Sequence, residues 1–164
     1  MRLGTWALAG AALLLGTAVA SANGGKPVAA APAASDASGA IAGRQAAYRL
    51  SAALFSAMKG TIDRGDDVAS QAFAARAIAG WAKAMPGMFP AGSDIAPSNA
   101  MPAVWTDRAG FEAKAAAYAA AATKLAELAK AGDKAGFAAQ YGEVGKTCGA
   151  CHSSFRKQEE HRPG

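Results

Sequence analysis

Residues 133–155 read DKAGFAAQYGEVGKTCGACHSSF, and the spacing of their apolar positions decides the fold. Phe137, Tyr141, Val144, Cys148, Cys151 and Phe155 follow one another by alternating steps of four and three, which lines them up on one face of a helix. Asp133 stands in front as an N-cap. Working back along the chain, the same alternation runs through Phe111, Ala115, Tyr118, Ala122, Leu125 and Ala129, starting at Thr106-Asp107 and stopping at Gly132. A third segment, about 38 to 62, places Ile41, Tyr48, Phe55 and Ile62 seven apart, with Met58 on a neighbouring position. A fourth begins after Gly65 with Asp66 or Asp67 as cap, carries Val68, Ala72, Ala75, Ala79 and Ala82, and ends at Met85-Pro86. Four seams with a period near 3.5 predict an all-α protein, an antiparallel left-handed four-helix bundle. Short turns at 63–65 and 132 pair the helices as two hairpins. The connection 86–105, with Pro86, Pro90, Pro97 and Pro102, is long and must cross between them.

Composition agrees with this reading and sets its limits. The chain has 164 residues, 52% hydrophobic and 18% charged, enough for one domain with extras and too few for a large multidomain enzyme. Its net charge of +5 is scattered, without the basic run that a nucleic-acid partner requires. Residues 1–22 read as a secretory signal peptide: Arg2, an apolar stretch from Leu3 to Val19, and the small residues Ala20-Ser21-Ala22. The stretch is short and broken by Gly4, Gly10 and Gly16, so export to the periplasm with cleavage is expected, not stable membrane insertion. Residues 23–40 read as a flexible Ala/Pro/Gly linker, 41–160 as the folded domain and 161–164 as a polar tail.

The chemistry sits in Cys148-Gly149-Ala150-Cys151-His152. Cysteines at i and i+3 share a helix face, and a histidine at i+4 joins them, which is the C-x-x-C-H signature of covalent haem attachment. One haem c is therefore expected, held through Cys148 and Cys151, with iron ligated by His152. Its macrocycle would also supply the apolar volume that an alanine-rich interior lacks. A reactive dithiol would place its cysteines near a helix N-terminus in a βαβ setting. Zinc, using His161 as a further ligand, would crowd three ligands into five helical residues. Plain buried cysteines would leave the histidine spacing a coincidence.

The motif near the chain end, continued as His152-Ser153-Ser154-Phe155-Arg156, resembles the class II c-type cytochromes and specifically the cytochrome c′ family. Arg44-Gln45-Ala46-Ala47-Tyr48, Met85-Pro86, Phe89-Pro90-Ala91-Gly92, Trp105 before an acidic residue, and Ala131-Gly132-Asp133 extend the resemblance over residues 40–158. It implies a four-helix bundle, often a homodimer through its first two helices, with a high-spin, five-coordinate haem. By position it also implies that Arg44 and Gln45 contact the haem propionates and that Tyr48 covers the distal face.

The residues themselves bear on these roles. Arg44 shares the stripe of Ile41 and Tyr48, where a guanidinium is costly unless it snorkels or meets an anion. Arg156, one turn after His152, is either a pocket-side cation or an exposed helix-end one. A phenol over the iron is a poor ligand, so Tyr48 would leave a site for small gases such as nitric oxide or carbon monoxide. A methionine there would instead make a low-spin, six-coordinate one-electron carrier docking on periplasmic redox partners. Met58 lies too far along its helix, which leaves Met85, Met88 and Met101 as candidates. No cluster of titratable groups suited to acid–base work accompanies the motif, so an enzyme is not expected.

Overall fold

The computed structural model describes residues 34–158; the signal peptide, the linker up to residue 33 and His161 lie outside them. Four long helices, α1 (Ala34–Arg64), α2 (Ala72–Ala84), α4 (Arg108–Ala131) and α5 (Lys134–Phe155), form the antiparallel bundle, with a single helical turn, α3 (Ala103–Thr106), before α4. No strand occurs among the described residues.

The caps follow the sequence. Asp107 accepts a hydrogen bond from the Gly110 N–H and Asp133 one from the Gly136 N–H, satisfying first-turn donors of α4 and α5. Gly132 ends α4 at φ 68°, a left-handed conformation that a side chain would strain. Asp67 caps the next element, accepting from the Ala69 N–H, but the chain enters it as a 3-10 turn (Val68–Gln71) before α2 proper. The first helix runs Ala34–Arg64, a turn longer at its start than the expected span of about 38 to 62. Alanine-rich sequence has high helix propensity, and Ala37, 4% exposed, extends the Ile41 stripe by one turn.

Packing is uneven. Alanines at 75, 79, 82, 115, 122, 126 and 129 are buried and let α2 and α4 approach closely along their lengths; α5 also packs along α4. By contrast α1 touches α2 lightly and α5 at few points. The core divides accordingly. One cluster joins Met58, Val68, Ile78, Leu125, Phe137 and Val144 towards the α1–α2 and α4–α5 turns. The other joins Met85, Phe89, Val104, Phe111, Ala115 and Phe155, with Tyr48, Trp81, Tyr118 and Cys151 packed against it.

The long connection is held down by one buried cation. Arg44 is 3% exposed, so it does not snorkel. Its guanidinium donates to the Met88 carbonyl (3.1 Å), Ser93 Oγ (2.8 Å), the Ser93 carbonyl (2.6 Å) and Ser98 Oγ (2.7 Å), and lies 4.4 Å from the centroid of the Phe89 ring. Gln45 adds a bond to the Pro97 carbonyl (2.9 Å). The loop is tied at its far side by Met101 N–H to Phe155 C=O and Lys157 N–H to Asn99 C=O. Replacing Arg44 by Met strips charge-assisted bonds from buried oxygens, and the holoprotein is expected to lose about 3 kcal/mol. Urea unfolding measures the loss, and limited proteolysis should show earlier cleavage within 86–102.

Candidate haem site

The seam that α1 leaves against α5 is where the sequence motif emerges. Cys148, Cys151 and His152 lie on consecutive turns of α5, each half-buried. Both cysteines are free thiols. Burial pushes the Cys148 thiol up from its ordinary value, and burial together with the Cys148 sulfur does the same to Cys151. That is opposite to the depressed thiol of a reactive dithiol centre. His152 is shifted down, first by burial and then by the positive charge of Arg156. Its imidazole therefore stays neutral, the form in which a nitrogen lone pair is available to a metal. Arg156 thus faces His152 although its side chain is exposed at the helix end.

Tyr48 comes from α1 to the same place. Its phenol is driven well above the ordinary tyrosine value, mostly by burial and next by the Cys151 sulfur, and Tyr48 and Cys151 pack against the same core cluster. Its ring meets that of Trp81 edge-on, with centroids 5.0 Å apart at 87°. Tyr118 from α4 completes the group; it is held to about 12 by burial and the Cys148 sulfur against an opposing hydrogen bond from Ser51. The structure thus packs Tyr48 and Cys151 against one core cluster, with Cys148 one turn before and His152 directly after Cys151 on α5. Arg44 and Gln45, one turn before Tyr48, bind the loop that borders the group. Ser51, Trp81 and Tyr118 complete the site, yet the sequence marks only Tyr118, and only as a seam position. Ser93 and Ser98 are the loop partners of Arg44, and no local pattern points to them.

These residues fit a c-type haem. Two thiols one turn apart can each form a thioether, and a neutral imidazole adjoins the second. The indole nitrogen of Trp81 is buried without a hydrogen-bond partner among the protein groups, as a donor would be whose acceptor belongs to a bound group. Fold and site together point to a class: four-helix-bundle proteins whose last helix offers the residues to hold a haem.

Comparison with known proteins narrows the class. The family model described as Cytochrome C′ matches residues 39–156. The cytochrome c′ of Rhodocyclus tenuis is 35% identical over 124 residues, covering 71% of this chain and 92% of that protein. That of Rubrivivax gelatinosus is 46% identical over 61 residues, a stretch covering 37% of this chain and about half, 47%, of the relative. Among solved structures, the nitric oxide complex of a cytochrome c prime variant from Alcaligenes xylosoxidans superposes with a TM-score of 0.69 at 29% identity, covering 75% of this chain and 97% of that one. The chain belongs to the cytochrome c′ family, whose cofactor is haem c.

The shifted phenols make an alkaline prediction. Between pH 10, the ordinary tyrosine value, and about 12, the unfolded chain has lost the Tyr118 proton while the folded chain keeps it. The unfolded state then binds fewer protons, so stability must fall as pH rises through this window. Tyr118→Phe is expected to flatten the fall in denaturant midpoint between pH 9.5 and 11.5, roughly the span of the phenol titrations. Equal slopes in parent and variant would assign the loss to other groups.

Proposed function

We propose that this protein is an exported, periplasmic haem c protein with a five-coordinate, high-spin iron that takes part in electron transfer and binds small gases. In this reading Cys148 and Cys151 form the thioethers and His152 is the axial ligand. Bound there, the haem supplies a one-electron ferric/ferrous couple and an iron position for a diatomic ligand. The observation that carries the reading is the placement of Tyr48, which packs with Cys151 against one core cluster and meets Trp81 edge-on. A neutral phenol blocks approach to the iron without being a good ligand, so a small molecule enters only as the ring moves aside.

Arg44 and Gln45 are proposed to serve the propionates while holding the loop, and Arg156 to set its charge beside His152. Among the methionines, Met58 is fully buried in the other core cluster. The Met88 methyl packs on Gly43, roughly 140° around α1 from Tyr48 at 100° per residue. Met85 and Met88 both share a cluster with Tyr48 and Cys151, and the low-spin electron carrier is the second reading because of them. No described helix is long and apolar enough to cross a membrane. Leu50 on α1 and Phe73 on α2, 66% and 74% exposed, support a homodimer through these two helices. The net charge of +5 suits steering towards acidic redox partners.

Absorption spectra of the ferric, ferrous and carbon monoxide-treated ferrous protein test the proposal. A broad high-spin ferrous band that shifts with carbon monoxide is expected; a sharp low-spin spectrum unmoved by the gas would establish a sixth protein ligand and overturn the five-coordinate reading. Tyr48→Ala removes the blocking ring and is expected to tighten carbon monoxide binding about tenfold, the equivalent of about 1.4 kcal/mol. An unchanged affinity would show that Tyr48 does not guard the site.

A further inference from the structure

Trp81 is an aromatic residue with a polar atom in the wrong place for a core filler. It lies in the last turn of α2, packed against the same cluster as Cys151 and edge-on to Tyr48. Its Nε1 is the only buried side-chain nitrogen or oxygen among the described residues without a hydrogen-bond partner. Buried indole N–H groups normally find an acceptor, and leaving one unmade costs about 1–3 kcal/mol. No phenol, amide or carbonyl oxygen of the described residues stands within hydrogen-bond distance of the indole nitrogen. The thiols are weak acceptors and are consumed when thioethers form.

We infer that Trp81 is a hydrogen-bond donor to the haem group, through its indole N–H, with an oxygen of the haem assembly as acceptor. Two oxygens share that chemistry: the carboxylate of a propionate, and the oxygen of a diatomic ligand on the side that Tyr48 covers. Indole neither ionises nor accepts, so the donor would act equally at every physiological pH. The inference rests on the haem-binding reading above, and its ligand arm also on the gas-binding one. Trp81 acts here as a positioning and tuning residue; Tyr48 remains the group that gates access.

The test uses the holoprotein, with carbon monoxide as the probe. Infrared and resonance Raman spectra are compared for the parent in H₂O and D₂O and for Trp81→Phe, which keeps an aromatic ring but removes the N–H. If the donor reaches the ligand, the C–O stretch rises by several wavenumbers in the variant and shows a small solvent-isotope shift in the parent. If it reaches a propionate, the C–O stretch stays put, while propionate modes and the reduction potential shift in the variant and the same modes respond to D₂O in the parent. Either pattern supports the donor role. No change in any of these bands or in the potential would overturn it and leave the N–H directed at the Tyr48 ring face. The parent isotope comparison answers the question even where Trp81→Phe fails to fold. Haem present without carbon monoxide binding would count against the gas-binding reading, leaving the propionate arm to be decided on its own bands.

Discussion

Close packing of α2 against α4, made of alanine meeting alanine, with Phe137, Val144 and Phe155 burying α5 beside them, is the constraint from which the remaining structure follows. Buried small side chains at 75, 79, 82, 115, 122, 126 and 129 let α2 and α4 approach until their backbones nearly set the separation. α1 then closes the bundle with larger residues, Ile41, Tyr48, Phe55 and Met58; its backbone stands off α5 and meets it through side chains such as Phe55, stacked on Tyr141 with centroids 3.9 Å apart. A four-helix bundle with three intimate neighbours and one held off has a seam. The groups that line this seam are two thiols, an imidazole and a phenol, where an ordinary core would have leucine. Such a lining offers two sulfurs and an imidazole nitrogen to a bound group.

The loop between α2 and α3 belongs to the same arrangement. The proline-rich crossing 85–102 has little to hold it in place by regular structure, and a buried guanidinium with four hydrogen bonds provides the missing order. Because Arg44 is one turn from Tyr48, the loop, the α1 stripe and the seam are fixed relative to one another. Burying a charge in this way is costly unless its donors are met, and here backbone carbonyls, serine hydroxyls and the Phe89 ring meet them.

Much of this was legible in the residues themselves. The alternation of four and three in α4 and α5, the caps at Asp107 and Asp133 and the stop at Gly132 are local signals, and the structure follows them. The C-x-x-C-H motif is likewise local, because helix geometry alone places its three functional atoms side by side. What escaped reading was long-range. Arg44 pairs with serines 49 and 54 residues away, and no periodicity reports such a partner. Trp81 is on a helix whose stripe reads entirely as alanine, so its part in the site shows only when α1 is laid beside it. The start of α1 was hidden for a different reason: alanine, serine and glycine before Ile41 look like linker, and only the burial of Ala37 shows that they continue the helix.

The central claim is that the α1–α5 seam holds haem attached through the α5 cysteines. Its most direct measurement is intact-protein mass spectrometry of the exported protein under denaturing conditions, paired with a pyridine haemochrome assay and repeated on Cys148→Ala and Cys151→Ala. The account predicts one haem retained per chain through denaturation, with the two-thioether haemochrome band in the parent and a single-thioether band or lost haem in each variant. A chain without haem, or with haem that acid–acetone extracts completely from the parent, would contradict it.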